Sequence, residues 1–190
     1  MYNSFCKRNG KVYIISGKFK GRKIYFNNYY NLRPTTNKIR ETLFQWLSKD
    51  IKNAKCLDCF SGSGALGIEA ISRYAKFLTL LEIEKKTFWN LKKNIKILNI
   101  SNAEIICTNT LHWLKKTGTP YDIIFIDPPY YQGLVEKTIH LLDNKKWTKK
   151  NSIIYIEQEK NKSLTIPNNW ILYKQKNQNQ IEYYLYIVNK

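Results

Sequence analysis

Between Cys56 and Asn144, short apolar runs alternate with segments of helical period, and this narrows the possible fold more than any other feature of the chain. Apolar runs predict strands over 55–60, 77–82, 103–107 and 121–126, and the segments 64–74, 85–98, 109–115 and 132–144 predict helices. Strands separated by helices cross over to lie parallel, which places helices on both faces of a mostly parallel α/β sheet. The end of the chain breaks the pattern. Strands are predicted over 152–157, 170–175 and 181–188, and Gln178-Asn179 turns the last two into an antiparallel hairpin. A chain of 190 residues suffices for one well-buried domain.

Ahead of this pattern lies a small basic unit, so the expected division is 1–50 for an extension and 51–190 for the main domain. Residues 12–16 and 22–26 predict two strands, with glycines at 17 and 21 for the turn. After Arg33-Pro34-Thr35-Thr36, either Thr36 or Asn37 caps a helix with Ile39, Leu43, Trp46 and Leu47 on its apolar face. The net charge of +18 points to a polyanion, and nucleic acid fits better than a membrane because no basic amphipathic helix stands out. A chain rich in Lys, Asn, Ile and Tyr accumulates some lysines by composition alone, but that does not concentrate them. No acidic residue precedes Glu41, and four of the five arginines lie there. Lys18, Lys20, Arg22, Lys23, Arg33 and Arg40 are therefore the candidate phosphate contacts, the last two as bidentate clamps. No run reaches the roughly 20 apolar residues of a spanning helix, and a soluble, cytoplasmic, monomeric protein is expected.

Cys56 and Cys59 form a CxxC, but no second pair or nearby histidine completes a metal site. The cysteines are expected to be reduced core thiols, with no metal. Phe19, between two lysines at the hairpin tip, is either a base contact or a solvated turn aromatic. His112 and His140 are expected to be surface or packing residues, the scattered tryptophans core or rim, and Glu69 structural.

The run Asp58-Cys59-Phe60-Ser61-Gly62-Ser63-Gly64-Ala65-Leu66-Gly67 closes the first strand of the alternating region and opens its helix. Small residues there let a ligand approach the backbone at a helix N-terminus. Glu82, at the end of the second strand, is placed to accept from ribose hydroxyls. Together they satisfy the dinucleotide fingerprint as well, so the turn indicates an adenosine-containing cofactor without choosing between NAD and S-adenosylmethionine.

The choice comes from Asp127-Pro128-Pro129-Tyr130, which follows the apolar strand at its carboxyl end. Two prolines stiffen the backbone and remove two N–H donors, leaving carbonyls that only accept. An aryl amine is a poor nucleophile because its lone pair is delocalised. Accepting both of its N–H bonds, from the Asp127 carboxylate and the Pro128 carbonyl, frees that pair for attack on a sulfonium methyl. Tyr130 offers a flat face on which a base stacks. A hydride-transfer enzyme has no use for such a clamp, and S-adenosylmethionine is the better reading.

With these motifs in view, the sequence resembles the RsmD family, bacterial methyltransferases of guanine N2 in 16S ribosomal RNA. The resemblance rests on Ser16-Gly17-x-x-x-Gly21-Arg22, on Leu32-Arg33-Pro34-Thr35-Thr36 with Arg40-Glu41-Thr42-Leu43-Phe44, on the glycine turn through Ala70, and on Asp127 to Tyr130. It implies a class I (Rossmann-like) methyltransferase sheet with a small hairpin-and-helix extension. Asp58, Phe60, Ser61, Gly62, Ser63 and Gly64 are then cofactor contacts, with Glu82 at the ribose and Asn109, where relatives carry Asp, near the adenine. The same resemblance implies Asp127 and Tyr130 at the target base, the N-terminal unit on RNA, and a small-subunit particle as substrate. A DNA adenine-N6 methyltransferase shares the catalytic clamp, and a non-catalytic RNA-binding assembly factor could keep the fold; both remain alternatives.

Overall fold

The computed structural model describes residues 9–27, 35–130 and 132–190. In chain order its elements are β1 (Asn9–Tyr13), β2 (Lys23–Asn27), α1 (Asn37–Trp46), β3 (Lys55–Asp58), α2 (Ala65–Ser72), β4 (Phe77–Glu82) and α3 (Lys85–Ile97). They continue with β5 (Ala103–Cys107), α4 (Thr110–Leu114), β6 (Ile123–Ile126), α5 (Leu134–Asn144), β7 (Ile153–Glu159), β8 (Trp170–Gln178) and β9 (Ile181–Val188). The central sheet runs β5-β4-β3-β6-β7-β9-β8, with β3 to β7 paired in parallel and β9 antiparallel to both its neighbours. This is the mostly parallel sheet with an antiparallel terminal hairpin that the residue pattern predicts. The order reverses between β3 and β6, which opens a crevice at their carboxyl ends.

Alternate residues of the central strands feed two cores. Cys56, Leu78, Leu80, Ile123, Phe125 and Tyr155 face one side, with α1, α2 and the hairpin. Leu57, Leu81, Ile124, Ile126, Ile154 and Ile156 face the other, with Trp147 and Leu142. Burial on both faces is why these strands read as unbroken apolar runs.

The first hairpin forms between Asn9–Tyr13 and Lys23–Asn27, earlier on its first strand than predicted. The cause is Glu69, which accepts the N–H groups of Ile15 and Ser16 and so takes these residues away from β2. Gly17 turns the chain at φ +83°, where a Cβ would lie 1.8 Å from the Ser72 carbonyl oxygen, so only glycine fits. Phe19 is buried, 7% exposed, and its N–H donates to Ser72 Oγ; it is neither a base contact nor a solvated aromatic. All eight residues of α2 are buried, because the helix is sandwiched between the sheet and this hairpin. Thr36 is the cap of α1, accepting from the Ile39 N–H. Cys56 and Cys59 are core residues as expected, whereas Cys107 is exposed.

Candidate active site

Four parallel strands each place an acidic side chain at the carboxyl edge of the sheet. Asp58 on β3 pairs with Leu80 and Phe125, and Phe125 pairs with Tyr155. Glu82, Asp127 and Glu157 each lie two residues beyond those partners, so Glu82, Asp58, Asp127 and Glu157 form a row across β4, β3, β6 and β7.

Asp58 is 2% exposed, and Oδ2 accepts the Gly67 N–H at 3.2 Å. Burial, reinforced by the nearby Glu82 charge, pushes its carboxyl up to about 7 despite that hydrogen bond. Gly67 permits the close approach of α2, since a Cβ there would sit 2.7 Å from Leu80 Cδ2 and 3.1 Å from Asp58 Oδ2. Glu82 accepts from Gly62 N–H at 2.9 Å and from Glu84 N–H at 2.8 Å, and burial raises its carboxyl too. The glycine turn is also bonded within itself. Gly64 at φ +80° donates to the Ser61 carbonyl, Ser61 Oγ donates to the Asp58 carbonyl, and Ser63 Oγ accepts from Ala65. Phe60 is half-buried beside it. Next to Glu82, Ile83 is 64% exposed, an apolar side chain held in the open at the crevice. Asn109 caps α4 by accepting from the His112 N–H at 3.0 Å. It also lines a cavity of about 530 Å³ between α4 and α5 that includes His112 and His140.

On the other side of the crevice, Asp127 Oδ2 accepts from Thr35 Oγ1 at 2.7 Å. Desolvation and the Glu157 charge hold the Asp127 carboxyl well above the usual range. Glu157 is 2% exposed and receives two phenols, Tyr130 at 2.9 Å and Tyr155 at 2.8 Å. Pro128 is buried and Pro129 exposed. A cavity of about 370 Å³ opens here, walled by Pro128, Tyr130, Leu134 and Glu157 among others. That volume lies in the range of small-ligand sites.

The predicted residues thus divide. Asp58, Glu82 and Asp127 come together on one edge, with Tyr130 joined through Glu157. Lys18, Lys20 and Arg22 are exposed but lie at the opposite edge: Lys18 N–H donates to the Ser72 carbonyl at the end of α2, and Arg22 Nη2 to the Ile97 carbonyl at the end of α3. Lys23 is exposed at the start of β2. Arg33 lies outside the described residues. Arg40 is a correction. It is fully buried, donates to the Tyr13 carbonyl and Asn37 Oδ1, and lies 3.7 Å from Glu69, so it cannot clamp a phosphate. Three residues at the crevice are not picked out by the sequence pattern: Thr35, Ile83 and Glu157. The available signal for Glu157 was a charge ending the apolar run Ile153-Ile154-Tyr155-Ile156.

The family described as Conserved hypothetical protein 95 matches residues 12–187. The chain belongs to that family. It is 74% identical over 188 residues, 98% of each chain, to the ribosomal RNA small subunit methyltransferase D of Buchnera aphidicola from Acyrthosiphon pisum. The protein of the same name from Escherichia coli K12 is 45% identical over 94% of this chain and 90% of its own. Among solved structures, the yhhF protein of Escherichia coli superposes with a TM-score of 0.88 at 44% identity, covering 95% of this chain and 99% of its own. The RsmD resemblance and the class I methyltransferase sheet both hold for this chain. Among the described residues, no helix is long and apolar enough to cross a membrane.

Proposed function

We propose that the protein transfers a methyl group from S-adenosylmethionine to the exocyclic N2 of a guanine in 16S ribosomal RNA, as a monomer acting on small-subunit particles in the cytoplasm. The observation that carries this reading is the anchored clamp at the end of β6, where Asp127 is bonded to Thr35 and Tyr130 to Glu157. The names of the full-length relatives support the substrate.

The crevice suits the cofactor. The Glu82 carboxylate, held by backbone N–H groups that include those of Gly62 and Glu84, is placed to accept from a ribose hydroxyl. Exposed Ile83 offers an apolar face to the adenine, and the glycine turn, braced by its own hydrogen bonds, offers a rigid rim. Buried carboxyls with raised proton affinity, Asp58 first among them, form a counter-charge that a cationic ligand would relieve. When bound, S-adenosylmethionine supplies an electrophilic methyl on a cationic sulfur. Asp127 and the Pro128 carbonyl accept the two N–H bonds of the target amine and aim its lone pair. Tyr130, fixed by Glu157, stacks on the base, a contact of about 1–3 kcal/mol. Asp127 would also take the proton that the amine nitrogen loses on methylation. Positioning and electrostatics supply the catalysis.

Asn109 stays in the proposal as an adenine neighbour through its amide group, its oxygen also capping α4. Lys18, Lys20, Arg22 and Lys23 stay as RNA contacts remote from the target base. Asp127→Ala tests the clamp: methyl transfer should be lost with cofactor affinity kept. Lost cofactor affinity with normal turnover would sink the assignment.

A further inference from the structure

The hairpin alternates strictly between faces. Val12, Ile14, Ile24 and Phe26 point inward and are buried, which turns Lys11, Tyr13, Lys23 and Tyr25 outward. The register pairs Lys11 with Tyr25 and Tyr13 with Lys23, so each aromatic ring stands opposite a cation. Tyr13 is 43% and Tyr25 47% exposed, and the Nζ atoms of Lys11 and Lys23 lie 6.0 and 5.9 Å from the Tyr13 centroid. Tyr13 and Tyr25 thus each present part of a ring to solvent on this outer face.

This face continues onto α3. The Asn94 side chain, 3% exposed, accepts from the Tyr25 N–H at 3.1 Å and donates to its carbonyl at 2.7 Å, pairing with β2 as a neighbouring strand would. The helix docked in this way contains five lysines and no acidic residue. It also carries Trp89, 59% exposed, with Lys92 Nζ 5.1 Å from its ring.

Exposed rings set among cations, without acids, match the chemistry of unpaired nucleotides: phosphates meet the lysines and bases stack on the rings. We infer that the outer face of the hairpin and the adjoining surface of α3 form a stacking platform for a single-stranded segment of the RNA substrate, with Tyr13 and Tyr25 each holding a base. The inference rests on the proposed RNA methylation and adds residues and a contact mode to it. Duplex RNA, with its bases already stacked, does not use the rings.

The test measures binding of a fluorescein-labelled single-stranded RNA oligonucleotide of mixed sequence across a salt series, with Tyr13→Ala, Tyr25→Ala, Tyr25→Phe and Lys23→Ala beside the parent. Each Tyr→Ala change should weaken binding about 5- to 150-fold, the equivalent of one stacked base, without altering the log–log salt slope. Tyr25→Phe should retain parent affinity. Lys23→Ala should lower the slope by about 0.7. Affinity for S-adenosylmethionine, measured in parallel, should stay constant and so report intact folding. Parent-like RNA affinity in both Tyr→Ala variants overturns the platform, as does a change of slope in them like that of Lys23→Ala. Methyl transfer to 16S RNA by the parent is scored separately: its absence overturns the proposed function, whereas the binding comparison is read independently of turnover.

Discussion

Glu69→Ala should be among the most destabilising single changes in the protein. The side chain is fully buried and serves four groups. It accepts from Ile15 N–H at 2.8 Å, Ser16 N–H at 3.0 Å and Arg73 Nε at 2.8 Å, and it faces Arg40 Nη1 at 3.7 Å. Arg40 is buried as well, and burial lowers its proton affinity while Glu69 is the main neighbour restoring it. Removing one partner of a buried pair costs about 3–5 kcal/mol because the other charge is left uncompensated. Two stranded amides add about 1–3 kcal/mol each where water cannot reach them. Arg73 is part-exposed and recovers its hydration, and the half-buried Ile15 and Ser16 place their amides at the lower end, about 1 kcal/mol each, so a total of about 5–7 kcal/mol is expected, mostly from Arg40. For a chain of this size that is a fall in Tm of about 10–28 °C. Urea unfolding followed by circular dichroism measures it directly. Adding Arg40→Met to Glu69→Ala removes the orphaned cation and should restore part of the loss. A Glu69→Ala variant within about 1 kcal/mol of the parent would refute the reasoning, since that is the scale of an exposed ion pair.

Other consequences follow from the row of carboxyls. With Asp58 held up to about 7 in the free protein, a cationic cofactor favours its ionised form, so affinity should rise with pH up to about 7 and then level. Calorimetry in buffers of different ionisation enthalpy should show proton release, lost in Asp58→Asn; flat affinity from acid to neutral pH would contradict this. The same raised value means that the folded state binds this proton more tightly than the unfolded chain, so Asp58 lowers stability as pH rises from about 4 through 7. At pH 8 Asp58→Asn should therefore be more stable than the parent in the absence of cofactor, and a less stable variant would argue against burial as the cause. Glu157→Gln cannot receive both phenols, and as Glu157 is a positioning residue its loss should lower kcat by up to about 100-fold with little change in cofactor affinity. An unchanged kcat would remove Glu157 from the account.

Much of the sheet is legible in the sequence because its strands are buried on both faces and its helices punctuate them. The position of Asp127 to Tyr130 is legible for a similar reason, being four consecutive residues at the end of such a strand. What depends on distant pairing is not. Arg40 sits in a segment almost free of acids, which suggested a phosphate contact, but its partner Glu69 arrives from α2 only when the fold closes. Phe19 lies between lysines in sequence and against α2 in space. The edge on which Lys18 and Arg22 fall depends on the hairpin running along α2, and no local pattern encodes that. Glu157 becomes part of the site through the register of β6 and β7, which sets it two residues past Tyr155, as Asp127 is past Phe125.

The most direct test of the central claim offers radiolabelled S-adenosylmethionine and unmethylated 16S RNA, naked and in small-subunit particles, to the parent protein and to Asp127→Ala, with duplex DNA as a control acceptor. Products are resolved by nucleoside chromatography. Label in N2-methylguanosine with the parent alone is the predicted result. Label in another nucleoside, in DNA alone, or equally with Asp127→Ala would contradict it.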